Sequence, residues 1–326
     1  MKWSARKWPV WELVAAISVV AVVAAILVVI NSDGRQVPGT AVPAPPTSTA
    51  PSPSQWRVPY LAVKIDNVAA ARPQTGLGSA DVVYVEPVEG GLTRLVALYA
   101  RGDVPAAIGP VRSARRTDVE LLAQYGTPVL AYSGAAPELL PTLRAARVIN
   151  ASPAQAAAAF FRSGDRRAPH NLFVRPAALP DKAKAPRQAP LLTGSAPAGG
   201  TSVTQGTVGY PAARYVIAWS TRHQRWVITM DGTPMLSTEC GPLTAATVVI
   251  QTVRVTAREG IEDARGNPSP VARTVGTGKA VVFRDGKRYA ATWSRPTALS
   301  PTRLRTARGA ALPVGTGPVW VFLTRP

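Results

Sequence analysis

The chain has 326 residues, and its 37 Lys and Arg against 18 Asp and Glu give a formal net charge of +19. Its single cysteine, Cys240, excludes an intramolecular disulfide and a cysteine-rich metal cluster. The charge favours anionic partners such as a phosphate-bearing polymer, a membrane surface or nucleic acid. A basic surface that is merely solvated is the alternative. The length suffices for two ordinary domains after an N-terminal tail is set aside.

The N-terminal segment predicts a single-pass membrane anchor. Residues Val10–Ile30 carry one charge, and at about 1.5 Å per residue roughly 20 residues cross a bilayer core of about 30 Å. Lys2, Arg6 and Lys7 precede this span, which predicts a cytoplasmic tail at 1–9 and an extracytoplasmic remainder. That topology disfavours nucleic acid as a partner. No small-residue cleavage site follows the span, so an uncleaved helix is predicted, with a cleaved signal peptide as the alternative.

Composition divides the rest of the chain. Residues 31–56 are dominated by Pro, Ala, Thr and Ser, which predicts an extended spacer because such a segment cannot build a core. A second Pro-, Ala- and Gly-rich stretch at 186–206 predicts an interdomain linker. The folded part is therefore predicted to contain one domain at 57–185 and another at 207–326.

The first of these regions mixes strand and helix patterns, which is typical of an α/β or α+β domain. It begins with a predicted half-buried strand, in which Leu61, Val63 and Ile65 alternate with Lys64 and Asp66. A Gly-Gly pair predicts a hairpin between the next two apolar runs. The remaining predicted elements are strands at Val82–Val88, Arg94–Arg101 and Val129–Tyr132 and helices at Asp118–Gln124, Pro137–Ala146 and Pro153–Phe161.

The second region is predicted to be β-rich, as an open sheet or a small barrel. Its strongest signal is a hairpin, with strands at Lys279–Phe283 and Arg288–Trp293 around an Asp-Gly turn. No convincing long helix is present in its pattern.

A basic stretch at Gly109–Arg116 joins an apolar run to a helical pattern. Helix N-termini expose unpaired N–H groups, and guanidinium groups pair with phosphates and carboxylates, so we expect an anion site here. The alternatives are that Arg112 and Arg115 are internal counter-ions and that Ser113 is a helix N-cap. The full set of candidate ligand-binding residues is Arg72, Arg94, Arg112, Ser113, Arg115, Arg116, Arg167 and Asn171.

Four residues are candidates for acid–base chemistry: Asp66, Glu86, Glu89 and His170. Two carboxylates on neighbouring strands could share a site, one protonated as the acid and one ionised as the base. A histidine titrates near neutral pH and could move a proton or donate to a phosphate. The alternative is that the carboxylates pair with arginines and only stabilise the domain. Two histidines cannot make a multi-histidine zinc site, and no metal or cofactor is expected.

Five strings occur in order between Tyr60 and Val174, and a weaker one follows at 278–287. The five are Val63-Lys64-Ile65-Asp66-Asn67, Arg72-Pro73-Gln74-Thr75-Gly76-Leu77, Val88-Glu89-Gly90-Gly91-Leu92-Thr93-Arg94, Ile108-Gly109-Pro110-Val111-Arg112-Ser113-Ala114-Arg115 and Arg167-Ala168-Pro169-His170-Asn171-Leu172. Together they resemble the bacterial YerB-like lipoprotein family (domain of unknown function 3048). The resemblance implies a membrane-tethered, extracytoplasmic protein of two domains, but it supplies no reaction. This chain lacks the lipid-bearing cysteine, so its anchor would be the N-terminal helix.

These features lead to two expectations about function. The first is a non-enzymatic envelope protein that binds an anionic cell-wall polymer, a lipid head group or a partner protein. The second is an enzyme that acts on an envelope glycan through carboxylates and His170. Convergence of Asp66, Glu89, Arg112 and His170 in one cleft would favour the enzyme, whereas carboxylates sealed against arginines would favour binding.

Overall fold

A computed structural model describes residues 57–100, 104–262 and 266–326. The predicted cytoplasmic tail, the anchor at 10–30 and the spacer at 31–56 lie outside the described residues. No helix in the described part of the chain is long and apolar enough to cross a bilayer.

Residues 57–200 contain short strands and two short α-helices. The strands are β1 (Tyr60–Ile65), β2 (Val82–Pro87), β3 (Thr93–Ala100), β4 (Val129–Ala131), β5 (Ile149–Ala151), β6 (Phe160–Arg162) and β7 (Leu172–Val174). The helices are α1 (Arg116–Leu122) and α2 (Leu140–Ala145). Single 3₁₀ turns lie at Ala69–Ala71, Leu77–Ser79, Glu89–Gly91, Ala123–Tyr125, Pro137–Leu139, Ala157–Ala159 and Pro176–Ala178.

The remainder is rich in strands, as predicted. These are β8 (Thr201–Ser202), β9 (Gln205–Tyr210), β10 (Ala213–Ser220), β11 (Arg225–Met230), β12 (Thr233–Pro234), β13 (Leu236–Ser237), β14 (Gly241–Pro242), β15 (Thr244–Ala245), β16 (Thr247–Thr252), β17 (Val255–Glu262), β18 (Pro268–Ala272), β19 (Gly276–Arg284), β20 (Lys287–Arg295), β21 (Arg303–Thr306) and β22 (Val319–Thr324).

One mixed sheet contains strands from both regions. Its order is β21-β20-β19-β16-β22-β2-β3-β1-β4-β5, with β8 paired to β20. Strand β22 lies between β16 and β2 and is parallel to both. The segment at 182–200 lies against this body, since Lys184 exchanges backbone hydrogen bonds with Thr127 and Leu191 is buried. The two sequence regions are therefore joined through the middle of the sheet.

Both faces of this sheet are covered in its middle, where β1 and β2 are buried along their whole length. A second sheet, β12-β11-β10-β9, packs on one face through Tyr215 and Trp226. Helices α1 and α2 contribute Leu121 and Leu143 to the core on the other face. The prediction of a half-buried β1 is wrong for this reason: every residue of β1 is buried, including Lys64. Apolar and polar residues do alternate along β1, but both sets of side chains point into buried layers, and neither set faces solvent.

Both predicted hairpins are confirmed. Strands β2 and β3 pair across a loop in which Gly90 and Gly91 have positive φ, of 66° and 73°. Strands β19 and β20 pair across Asp285 and Gly286, whose φ values of 52° and 69° match the turn that an Asp-Gly pair favours.

The predicted helix at Pro153–Phe161 is wrong. Only Ala157–Ala159 forms a 3₁₀ turn, and the chain then enters β6, which pairs with β7. The alanines favour a helix locally, but Phe161 instead stacks on Phe173 of β7, with ring centroids 5.7 Å apart. Tertiary packing overrides helix propensity in this segment.

Candidate functional site

A buried carboxylate with two basic partners lies where β1 ends. The Asp66 Oδ2 atom is 3.0 Å from Arg112 Nε and 2.8 Å from His170 Nδ1. Its Oδ1 atom accepts a 2.9 Å hydrogen bond from the backbone N–H of Asn67. The Asp66 side chain is 2 % exposed, whereas those of Arg112 and His170 are 27 % and 23 % exposed. We call Asp66, Arg112 and His170 the Asp66 centre.

Backbone pairing positions this centre. The segment that carries Arg112 runs beside β1, because Arg112 N donates to Lys64 O at 2.8 Å and Asp66 N donates to Pro110 O at 2.9 Å. His170 comes from the loop between β6 and β7. A groove of about 600 Å³ borders the centre, and its wall includes Arg112, Ser133 and Pro169. The exposed edges of the two basic side chains can therefore meet a ligand.

A second carboxylate, Glu89, forms an ion pair with Arg115. Arg115 donates to both Glu89 oxygens, at 2.6 and 2.7 Å, in the bidentate geometry that makes such pairs strong. Burial alone would raise the pKa of Glu89, but hydrogen bonds from Arg115 and its charge bring that pKa below its ordinary value. Glu89 therefore stays ionised and paired. It does not join the Asp66 centre as a second carboxylate.

Arg94 lies near Glu89, and the charges of both ion pairs act on its guanidinium. Its Nη1 atom is buried and 3.9 Å from Glu89 Oε2, which is too far for a hydrogen bond. Within the described residues, no other acceptor is placed to receive a hydrogen bond from this atom. Burial first, and then the positive charge of Arg115, lower the pKa of Arg94 to about 10, with a smaller contribution from Arg112. A buried guanidinium without an acceptor is costly unless an anion supplies one.

Glu86 belongs to a different cluster. It pairs with Lys64, whose Nζ atom also donates to Asp118 Oδ1 at 2.7 Å. All three side chains are at most 1 % exposed. The structure thus separates Glu86 from Asp66 and His170 and encloses it between β1, β2 and α1. A substrate cannot reach it there.

The N-terminus of α1 is also closed from within. The backbone N–H of Arg115 donates to Asp118 Oδ2 at 2.6 Å, so a side chain of the helix itself already satisfies this end. The N-cap residue is Arg115, and the Ser113 hydroxyl instead lies 3.4 Å from that of Ser133. The prediction of Ser113 as an N-cap is wrong. With only seven residues and its own carboxylate cap, α1 does not offer the open anion site that its sequence pattern indicates.

The remaining candidates lie apart. The Nη2 atom of Arg72 is 3.8 Å from Asp231 Oδ2. The Nη1 atom of Arg116 donates a hydrogen bond to Thr142 Oγ1 at 2.7 Å. Asn171 accepts from Arg162 Nη1 at 2.7 Å and donates to Ser163 O at 3.2 Å, so it shapes the loop that carries His170. Arg167 is exposed on the surface.

Sequence reasoning missed the buried polar network under the Asp66 centre. The Asn67 Nδ2 group donates to Thr93 Oγ1 at 2.9 Å and to Tyr215 Oη at 2.7 Å, and Gln74 Nε2 donates to Asn67 Oδ1 at 3.1 Å. The network connects β1 and β3 to the second sheet. The signal available was the polar Asp66-Asn67 pair at a strand end, but its partner Tyr215 is too distant in sequence to be inferred.

Comparisons with known proteins agree with this architecture. The sequence profile of the protein of unknown function (DUF3048) N-terminal domain matches residues 47–188, and that of the DUF3048 C-terminal domain matches residues 206–321. A Bacillus subtilis (strain 168) protein named "Putative lipoprotein YerB" is 44 % identical over 61 residues, which span 19 % of this chain and 18 % of the relative.

The fold is also found in a solved structure. The crystal structure of YerB protein from Bacillus subtilis superposes with a TM-score of 0.67 and 20 % identity, over 87 % of this chain and 96 % of that one. The similarity of fold, the two matched profiles and the ordered strings confirm the resemblance found in the sequence. The chain belongs to the DUF3048 family and contains both its N-terminal and its C-terminal domain.

Proposed function

We propose that the protein is held at the cell membrane with its folded part outside the cytoplasm, and that it binds an anionic group of an envelope polymer or partner protein there. Two observations support the location. The apolar span at 10–30 follows basic residues, and the B. subtilis relative has the word lipoprotein in its name. The span would replace the lipid as the anchor.

The buried Nη1 atom of Arg94 carries the binding proposal. This donor has no acceptor among the described residues, and the pKa of its guanidinium is lowered to about 10, first by burial. A phosphate or carboxylate oxygen would satisfy the donor and offset the surrounding positive charge. Arg112 acts electrostatically on Arg94, and Arg112 and His170 are partly exposed, so these two side chains would contact the rest of the anion. Arg115 is not available to bind the anion, because it already donates hydrogen bonds to both oxygens of Glu89.

The test is retention of the full chain, in an uncharged detergent, on isolated cell-wall polymer at low salt. We expect Arg94→Gln combined with Arg112→Gln to weaken retention about tenfold or more, a loss of roughly 1.4 kcal/mol. Asp66 keeps His170 as a partner in this variant, so the fold should persist, and circular dichroism checks that it does.

The matched control is Arg222→Gln combined with Arg288→Gln, which removes the same charge from two exposed positions. This control should retain at least half of the binding. Equal losses in the two double variants would mean that only net charge matters, and no loss in the first would contradict the proposed site.

The Asp66–His170 pair favours one further function, an acid–base enzyme acting on an envelope glycan. A carboxylate 2.8 Å from Nδ1 orients the imidazole and leaves Nε2 to accept or deliver a proton. The same incubations can be analysed for released glycan fragments. Turnover that His170→Asn abolishes while retention persists would establish the enzyme, and unchanged polymer would exclude it for that substrate.

A further inference from the structure

A second basic feature lies near the opposite end of α1. A groove of about 610 Å³ opens beside the 3₁₀ turn that follows this helix. Arginines from three separate segments border it, namely Arg147, Arg187 and Arg303, together with Pro186 and Leu299. Its lining contains no aspartate or glutamate. We call this feature the basic groove.

Buried hydrogen bonds fix its walls. Arg295 is fully buried and donates to Glu120 O at 2.7 Å and to Ala298 O at 2.6 Å, which ties the loop at 296–301 to α1. The Gln124 Oε1 atom accepts hydrogen bonds from Thr302 N at 3.1 Å and from Thr302 Oγ1 at 2.9 Å. The groove is therefore formed before any ligand arrives, which reduces the entropy lost on binding.

The arginines that border the groove have no carboxylate partner among the described residues. Arg303 donates only to the carbonyls of Ala189 and Thr302, at 3.2 and 3.3 Å, and burial lowers its pKa from the ordinary arginine value. Arg147 and Arg187 are exposed. Within the part of the chain that the structure describes, no ion pair involves any of the three. Three uncompensated positive charges in one concave surface attract an anion.

We propose that the basic groove binds a linear polyanion, through phosphodiester or phosphate groups spaced along a chain. The volume lies within the range of about 300–1,000 Å³ that is typical of ligand pockets, so the groove accommodates several repeat units instead of one phosphate. A bilayer surface fits less well because the feature is concave. Leu299, at 58 % exposure, is the one large apolar side chain of its lining that is prominently exposed. This site is separate from the Asp66 centre, and neither proposal depends on the other.

The test uses the full chain in an uncharged detergent and a fluorescently labelled inorganic polyphosphate, with binding followed by anisotropy at salt concentrations between about 50 and 300 mM. We expect Arg147→Gln combined with Arg187→Gln to weaken binding about tenfold at the lowest salt. The slope of log K against log salt should decrease by between about one and two, because two phosphate contacts and their released counterions are lost. Both side chains are exposed, so folding should be unaffected.

Three outcomes would overturn the proposal. The first is that wild type does not bind polyphosphate. The second is that Arg222→Gln with Arg288→Gln, outside the groove, weakens binding as much as the groove variant. The third is that anionic lipid vesicles bind in a groove-dependent way while polyphosphate does not. The Arg94→Gln, Arg112→Gln variant should lose clearly less polyphosphate binding than the groove variant, which distinguishes failure here from failure of the Asp66 centre.

Discussion

At the scale of single residues, the cluster of Lys64, Glu86 and Asp118 has one positive charge for two carboxyl groups. Burial raises the pKa of Glu86 to about 8, Lys64 opposes the shift, and the charge of Asp118 adds to it. Burial in this cluster therefore makes the folded protein favour the protonated form of Glu86 far more than the unfolded chain does. The contribution of this cluster to the free energy of unfolding therefore depends on pH.

This cluster predicts a pH dependence of stability. The unfolded chain loses the Glu86 proton near its ordinary value of 4.5, whereas the folded protein loses it near 8. Between these values the folded state binds one more proton, so the free energy of unfolding falls as pH rises, by up to about 1.4 kcal/mol per pH unit. Glu86→Gln imitates the protonated carboxyl and should flatten this dependence. Urea unfolding at pH 5, 6.5 and 8 measures it, and a variant whose slope equals that of wild type would contradict the assignment.

The sequence predicts the residues of the Asp66 centre, but it does not predict that Lys64 is buried. Asp66, Arg112 and His170 each lie in one of the five strings, and the structure places Arg112 Nε 3.0 Å and His170 Nδ1 2.8 Å from Asp66 Oδ2. Lys64 lies in the same string, but its alternation with apolar neighbours indicates a solvent face. Its partners Glu86 and Asp118 come from β2 and α1, and no local pattern shows that a helix will cover that face.

At the scale of elements, α1 depends on side chains at both ends. A helix of seven residues is marginal in water by itself, because the few hydrogen bonds it forms do not offset the free energy lost in ordering its first turn. Asp118 satisfies its first turn, and Arg295 of β20 donates to the carbonyls of Glu120 and Leu121 in its last turn. The helix that follows Arg115 is thus held by the C-terminal region.

Loss of that contact should destabilise the whole fold. Arg295→Met keeps a long unbranched side chain but leaves buried carbonyls without donors, so we expect a loss of about 3 kcal/mol. Arg288→Met on the same strand alters an exposed position and should stay within about 0.5 kcal/mol of wild type. Chemical denaturation compares the two, and similar midpoints would mean that Arg295 does not support α1.

At the scale of the whole molecule, β22 joins the two matched regions. It pairs with β16 of its own region through Thr247↔Val319 and with β2 of the other region through Val82↔Val319. Neither region alone contains the complete central sheet. Composition predicts an interdomain linker at 186–206, but composition cannot show that strands on either side of such a segment will pair.

Division of the chain in the exposed Gly199-Gly200 stretch tests this dependence. Fragments 57–199 and 200–326 should each lack a cooperative unfolding transition, because β2 and β22 are then on different chains. Mixed in equal amounts, they should recover one shared transition by calorimetry. Cooperative unfolding of the first fragment alone would show that its region is an independent domain.

The position of β22 also constrains when the protein can fold. Strand β2 acquires its second neighbour only after the residues from Val319 onward have been synthesised, so contacts around Val82 stay incomplete while the intervening chain is made. Pairings that are so distant in sequence form slowly, because the loop must close before they contribute. A chain that completes its central sheet so late keeps one edge of β2 unpaired until synthesis is almost finished, and an unpaired strand edge is open to association with other chains.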